Sequence, residues 1–383
     1  MTCVMRRHPT ALPHTRLQLA PASEGSMVER TGEGLRPVQR LGRRPSGADP
    51  AFDRALPNFS IGIAAAVQDH GGKQRCRGAA MPAIDDRIRT GPLLILDGAM
   101  GTELQLRGVP MHRVAWSAAA LESHPHIVRE VHEDYLRAGA EVITANSFGT
   151  SRHVLEPAGM GEKVAELNRR AIALAREARD RAAPGRAVWI AGSISSFIAE
   201  ADLKNQPSPA AARQSYTEQA ELLAEAGAEV LLLEMMRDVE YSRLAAECAL
   251  ATGLPVWIGF TCRRTEDGEI VLRGRDVEVP LADAIGPVSE PGAGLLAVMH
   301  SELDAVGPAL DILASRWSGA LGAYPHSGDF VMPNWLFDDI VEPRAFAEAA
   351  AAWAGRVRLL GGCCGTGPDH IRELAARLGR TAA

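Results

Sequence analysis

AGAEVITANS at 138–147 and AGAEVLLLEM at 226–235 are nearly one sentence written twice. Each begins at the end of an amphipathic run, passes a glycine and enters a short apolar run. A glycine in that place stops a helix, and the apolar residues after it start a buried strand. Two copies of one helix-to-strand junction imply a βα repeat.

The repeat extends from residue 93 to the end of the chain. Short apolar runs stand at 93–96, 141–145, 187–191, 229–233, 256–260, 294–298, 319–323 and 356–360. Between them lie stretches at 125–138, 163–182, 210–226, 239–252 and 305–317 whose apolar residues return every three or four positions. Eight such units in about 290 residues predict an α/β fold, a (β/α)8 TIM barrel. A doubly wound sheet would need fewer units and a GxGxxG turn after its first strand, where this chain reads DGAMGT at 97–102.

The 383 residues divide into two expected parts, 1–90 and 91–383, the second holding the barrel. The first 90 residues are rich in Arg, Pro, Gly and Ser and sustain no helical or strand period, which predicts a disordered extension. Arg6, Arg7 and Arg16 suggest an organelle transit peptide, but Glu24, Glu29 and Glu33 follow soon after. A translation start set too far upstream is an equal expectation, with Met81 as the natural beginning.

With 46% hydrophobic residues the chain can bury a large core, and no apolar run reaches the roughly 18 residues that a membrane span needs. A net charge of −6 with both signs interspersed argues against a nucleic-acid surface. Six cysteines, at 3, 76, 248, 262, 363 and 364, are too sparse for a disulfide scaffold, so a reducing cytoplasm is expected. Oligomeric state has no signature in the sequence.

In a barrel the chemistry stands at the carboxyl ends of the strands. Here those ends are Asp97 and Gly98, Asn146 and Ser147, Gly192 and Ser193, Glu234, Thr261 and Cys262, His300 and Ser301, Tyr324 with His326, and Cys363 with Cys364. Each has a bland explanation: a capping carboxylate, a hydrogen-bonded histidine, a packed thiol.

The segment LLGGCCGT at 359–366 is the most informative of these ends. Adjacent cysteines join to each other only through a strained ring, which speaks against a structural disulfide. Two inert thiols in a glycine turn, a redox dithiol and a pair of thiolates on one soft metal all fit the pair alone. The barrel brings His300, Cys363, Cys364 and, as a substitute, Cys262 to one rim, and three such donors would leave zinc (Zn2+) one open position. A thiolate substrate suits that position, while Asp97 and Glu234 suit an ammonium and glycine-turn N–H groups a carboxylate. The expected partner is therefore a small amino-acid thiol, with neither nucleic acid nor membrane.

DGAMGTEL (97–104), TANSFGTSR (144–152), AGSI (191–194), LLLEMM (231–236) and GGCCGT (361–366) together resemble the homocysteine S-methyltransferase family. The resemblance covers 93–377 and implies zinc-dependent transfer of a methyl group to the sulfur of homocysteine, giving methionine. It implies that Cys363 and Cys364 are two of three zinc ligands and that Asp97 and Glu234 contact the amino acid. Gly98, Asn146, Ser147, Ser193 and Tyr324 would line the substrate pocket, and an activated thiolate would attack the methyl carbon in line.

Two positions depart from the family pattern. Its sixth strand ends in Gly-x-Asn-Cys, whose cysteine is the third ligand, where this chain reads AVMH and offers His300. Its seventh reads Tyr-Pro-Asn-x-Gly, where this chain has YPHSG with His326. A Cys2His site remains chemically sound, with His300 preferred to Cys262. The chain ends soon after its eighth strand, without a cobalamin or folate domain, so the expected donor is S-methylmethionine or S-adenosylmethionine, with betaine weaker. The alternatives are a barrel that binds zinc or thiols without methyl transfer, one that methylates a different thiol, and a dithiol redox enzyme.

Overall fold

Eight parallel strands close on one another in the computed structural model: β1 Leu94–Ile95, β2 Val142–Thr144, β3 Trp189–Ser195, β4 Val230–Met236, β5 Val256–Arg264, β6 Leu295–Met299, β7 Ala320–Tyr324 and β8 Leu359–Leu360. Each pairs in parallel with its successor from β2 to β8, and β8 pairs with β1. A bridge from Leu96 to Val142 closes the ring between β1 and β2. The structure describes residues 83–198, 206–274, 277–290, 292–331 and 336–380. Of the expected N-terminal extension, residues 1–82 lie outside these.

The repeated AGAE shows why the two junctions share their letters. The helices Pro125–Ala138 and Pro209–Ala226 stop at Gly139 and Gly227, which take φ of 113° and 97° in the left-handed region open to glycine. In both, the next N–H returns five residues, Ala140 to Tyr135 and Ala228 to Leu223. The glutamate then grips the preceding strand twice. Glu141 donates its N–H to Ile95 O at 2.7 Å and accepts Ile95 N–H on its carboxylate at 3.2 Å. Glu229 does the same with Ile190, at 2.9 and 2.8 Å. The motif ends a helix and sets a strand's register in four residues.

Strand side chains alternate between two clusters. Leu94, Val142, Trp189, Ala191, Val230, Leu232, Trp257, Leu295, Ala297, Met299, Tyr324 and Leu359 fill the barrel interior. Their neighbours, among them Ile95, Ile143, Ile190, Leu231, Ile258, Leu296 and Val298, face outward against the helices. Burial on both faces is why the strands read as continuous apolar runs.

Several expected boundaries move. β3, β4 and β5 run beyond their apolar letters to Ser195, Met236 and Arg264, because the hydrogen-bonded ladder continues through Ser193, Glu234 and Thr261. β5 then turns back into an antiparallel strand, Ile270–Leu272. The expected disorder up to residue 90 is corrected at its end, since Ile84–Thr90 forms a helix. Its Ile84 and Ile88, one turn apart, are buried in the interior cluster, and Arg87 lies 5.9 Å from the Trp189 ring. Among the described residues no helix is long and apolar enough to cross a membrane.

Gly259 makes the interior fit. A Cβ there would stand 2.3 Å from the Tyr324 hydroxyl oxygen and 2.7 Å from Met299 Cγ. Gly259→Ala is expected to destabilise the fold by roughly 1–3 kcal/mol, the usual cost of overpacking a filled core. Urea unfolding measures this, and a variant within about 0.5 kcal/mol of wild type would contradict the packing described.

Candidate functional site

Past β8 the chain turns tightly through Gly361–Thr366, and the turn is fastened to both neighbouring strand ends. Cys363 donates its N–H to Pro325 O at 2.8 Å, and Cys364 O accepts from Ser327 N–H at 2.9 Å. On the other side Gly362 donates to Asp97 O at 3.1 Å, and Thr366 O accepts from Ala99 N–H at 2.9 Å and the Tyr135 hydroxyl at 2.9 Å. Gly365 has φ of 73°, and a Cβ on it would fall 1.9 Å from Ser327 O. The glycines of GGCCGT are what allow the backbone this close.

His300 follows Met299, which points inward, so simple alternation would turn the imidazole outward. A φ of 42° reverses that direction and brings Nδ1 to 3.7 Å from Cys363 Sγ. The two sulfurs are 3.8 Å apart, and donor atoms of His300, Cys363 and Cys364 all lie within 4.8 Å of one another. Cys262 takes the course that His300 avoids. It follows the inward-facing Thr261, packs fully buried in the outer cluster, and burial pushes its thiol up to about 12. It stands apart from the group of three.

The donor set fits a tetrahedral ion. Two sulfurs at 2.3 Å from zinc would be about 3.8 Å apart, and a sulfur and an imidazole nitrogen about 3.6 Å apart. The observed edges of 3.8 and 3.7 Å need little adjustment. Without an ion the pair shares its protons. The Cys363 S–H holds the Cys364 thiol well below its usual value, with His300 assisting, and Cys363 itself is pushed up by the same contact and by burial. His326 backs the centre, buried, its ring centroid 5.0 Å from that of His300. Burial pushes His326 down to about 3, with the neighbouring His300 adding to the shift.

Two carboxylates share the cavity, of about 310 Å³, that opens beside this triangle. Asp97 is buried and accepts Thr144 N–H at 2.7 Å and the Thr144 hydroxyl at 2.9 Å. Burial nonetheless raises it well above the usual carboxylate range. Glu234 accepts the Ser193 hydroxyl, and burial raises it to about 7. Neither carboxylate caps a helix.

The other expected substrate residues divide. Gly98, Asn146 and Tyr324 line the cavity, and Asn146 is also locked to Ser117 through both ends of its amide, at 2.9 and 3.0 Å. The buried Tyr324 hydroxyl has no hydrogen-bond partner among the described residues. Ser147 and Ser193 are not among the residues that line the cavity. Ser147 exchanges hydrogen bonds with the Ser193 backbone at 2.8 and 3.0 Å, tying β2 to β3, and Ser193 spends its hydroxyl on Glu234.

Sequence reasoning missed the rest of the wall. Trp116 meets Phe148 edge to face at a centroid spacing of 5.7 Å, Phe148 meets Phe197 at a tilt at 5.5 Å, and Met235, Arg237 and Arg273 also line the cavity. Trp116 and Met235, like His300, have positive φ, at 47° and 57°. No periodicity announces such residues. Thr144, inside its apolar run, gave no sign of being the partner of Asp97.

Comparison with known proteins gives a consistent picture. The family model described as homocysteine S-methyltransferase matches residues 94–378. The homocysteine S-methyltransferase of Escherichia coli (strain K12) is 30% identical over 304 residues, covering 74% of this chain and 95% of that protein. The selenocysteine methyltransferase of Astragalus bisulcatus is 27% identical, covering 76% of this chain and 95% of that one. Among solved structures, the metallated form of the homocysteine methyltransferase MmuM from Escherichia coli superposes with a TM-score of 0.62 at 28% identity, over 75% of this chain and 97% of that chain.

Glu234 supplies a pH test of the site. Its folded value of about 7 exceeds the 4.5 of an unperturbed glutamate, so the folded state holds the proton more tightly. The associated stability is present below pH 4.5 and is lost as pH rises through 7. Glu234→Gln stays neutral, so in metal-free protein its stability relative to wild type should climb between pH 5 and 8 by up to roughly 3 kcal/mol. Denaturant unfolding at a series of pH values reads this directly, and a flat difference would mean the carboxylate is not perturbed.

Proposed function

The chain belongs to the homocysteine S-methyltransferase family and is a methyltransferase, and on that premise we propose that it methylates the thiol of homocysteine with a zinc ion held by His300, Cys363 and Cys364. The donor in this reading is a small sulfonium, S-methylmethionine or S-adenosylmethionine. One observation carries the proposal: a triangle of soft donors with edges of 3.7 and 3.8 Å on the wall of a cavity that also presents two buried carboxylates. The metallated form of the Escherichia coli methyltransferase supports a metal there.

Zinc bound by these residues would lower the acceptor thiol's pKa, so that the sulfur is a thiolate near neutral pH. The remaining work belongs to the chain's own groups. Asp97 and Glu234 would receive the acceptor's ammonium, a cation that returns both carboxylates to their ionised form. Thr144 and Ser193 hold those carboxylates in place before the substrate arrives. Trp116, Phe148 and Phe197 would face the donor's positive centre, as aromatic rings do with onium groups. The thiolate lone pair forms the new S–CH3 bond, the donor's C–S bond breaks, and its electron pair stays on the donor sulfur. From homocysteine the product is methionine.

The name of the Astragalus relative makes selenocysteine the acceptor to test beside homocysteine. His300 favours the comparison, since an imidazole in place of a third thiolate removes a negative charge from the site and leaves the acceptor sulfur less nucleophilic.

Metal analysis of purified variants tests the ligand set. His300→Ala and Cys363→Ala are each expected to lose most of their zinc, and Cys262→Ser to keep it. The opposite ranking would overturn the assignment of His300. With wild-type protein, mass spectrometry should detect methionine from homocysteine with at least one of the two sulfonium donors. Zinc-loaded protein that methylates neither homocysteine nor selenocysteine would sink the substrate reading.

A further inference from the structure

The reading above leaves two arginines on the cavity wall without a task. Arg237 follows β4 and Arg273 follows the strand that returns from β5. They share one side of the rim. Gly274, next to Arg273, lies against Arg237, and a Cβ on it would stand 3.4 Å from the Arg237 carbonyl oxygen. In an eight-stranded ring that side is opposite β1 and β8, where Asp97 and the cysteine turn stand.

Both guanidinium groups hold unused donors. Half-buried Arg237 makes no hydrogen bond or ion pair among the described residues, although it carries five N–H donors. Arg273 pairs with Glu302, but its Nε is buried without a partner among the described residues. The adjacent Asp238 attracts Arg237 but caps the next helix, accepting Tyr241 N–H at 2.7 Å, so the guanidinium donors stay unpaired, and their planar fork matches a carboxylate or phosphate. The cavity's other cation-seeking groups, Asp97, Glu234 and the aromatic wall, leave an anion at this end as the complement.

We propose that Arg237, assisted by Arg273, is the docking point for a carboxylate on the methyl donor. The inference rests on the methyl-transfer reading for the identity of its ligand. It narrows the donor to an onium compound that carries its own carboxylate, with the positive centre on the side of Trp116, Phe148 and Phe197. S-methylmethionine and S-adenosylmethionine share that chemistry, and trimethylsulfonium lacks it. The acceptor keeps the part of the cavity between the cysteine turn and the two carboxylates.

The test compares zinc-loaded wild-type protein with Arg237→Gln and Arg237→Lys, all checked for equal thermal unfolding. Calorimetry without acceptor measures binding of S-methylmethionine, S-adenosylmethionine and trimethylsulfonium, and steady-state assays with homocysteine give KM and kcat. Arg237→Gln is expected to weaken binding of at least one carboxylate-bearing donor by roughly tenfold or more, as for a lost charge-assisted hydrogen bond. KM should rise in parallel, with kcat within about threefold, Arg237→Lys should recover part of the loss, and trimethylsulfonium should not distinguish the variants. Whichever donor responds identifies the source of the carboxylate. Equal binding of both donors by wild type and Arg237→Gln, or no binding of either by wild type, overturns the subsite. Arg237-dependent binding without methyl transfer supports the subsite and removes the catalytic reading instead.

Discussion

The period-two alternation of barrel strands decides which side chains can meet, and the centre depends on one controlled breach of it. His300 and Cys262 occupy equivalent places, each one residue beyond an inward-facing partner. Cys262 keeps extended backbone and is lost to the outer cluster. His300 adopts φ of 42° and returns to the interior rim. A non-glycine residue in that region costs on the order of 1–3 kcal/mol, and it persists only where its surroundings hold it. Here the His300 N–H reaches Tyr324 O at 3.3 Å, and the buried ring of His326 stacks obliquely behind the imidazole.

The same device recurs around the cavity. Among the described residues four non-glycines have positive φ, and three of them, Trp116, Met235 and His300, line the cavity. At Met235 the left-handed step coincides with a register shift between β4 and β5, so that Glu234 and Met235 both serve the interior side. Strain of this kind spends folding stability on the direction of a side chain, and the apolar double cluster of the barrel supplies the reserve. The two carboxylates add to the load, since burial opposes their ionisation while Thr144 and Ser193 favour it. An empty cavity is thus less stable than its parts could make it, and a cationic ligand relieves the cost.

The division between what was legible and what was not follows from this. The barrel was readable because AGAE repeats a helix stop, a turn and a strand anchor in contiguous letters. The metal-binding candidates were readable because strand order alone carries His300, Cys363 and Cys364 to one rim. The bonds of Ser147 and Ser193 were not readable, because the choice between a hydroxyl that meets substrate and one that ties two strands is made by register, which single letters do not show. The helix Ile84–Thr90 escaped because seven residues with two buried isoleucines are too short to establish a period against polar surroundings. Trp116 and Arg237 lie outside any strand, where the topology of the repeat gives no position.

Charge connects these observations. With an imidazole as the third donor, the proposed centre carries one negative charge fewer than three thiolates would give it, so the acceptor sulfur is the weaker nucleophile. A weaker nucleophile needs a better leaving group, and a sulfonium, which departs as a neutral thioether, meets that need where a quaternary ammonium does so less well. The cavity's arrangement follows the same demand. Two carboxylates, three aromatic rings and two guanidinium groups line or back the same cavity, so in the proposed reading a zwitterionic donor would be aligned by both of its charges. In the proposed reaction, alignment would supply part of what the sulfur gives up in reactivity, and this would couple the histidine at the end of β6 to the arginine after β4, two strands away on the same rim.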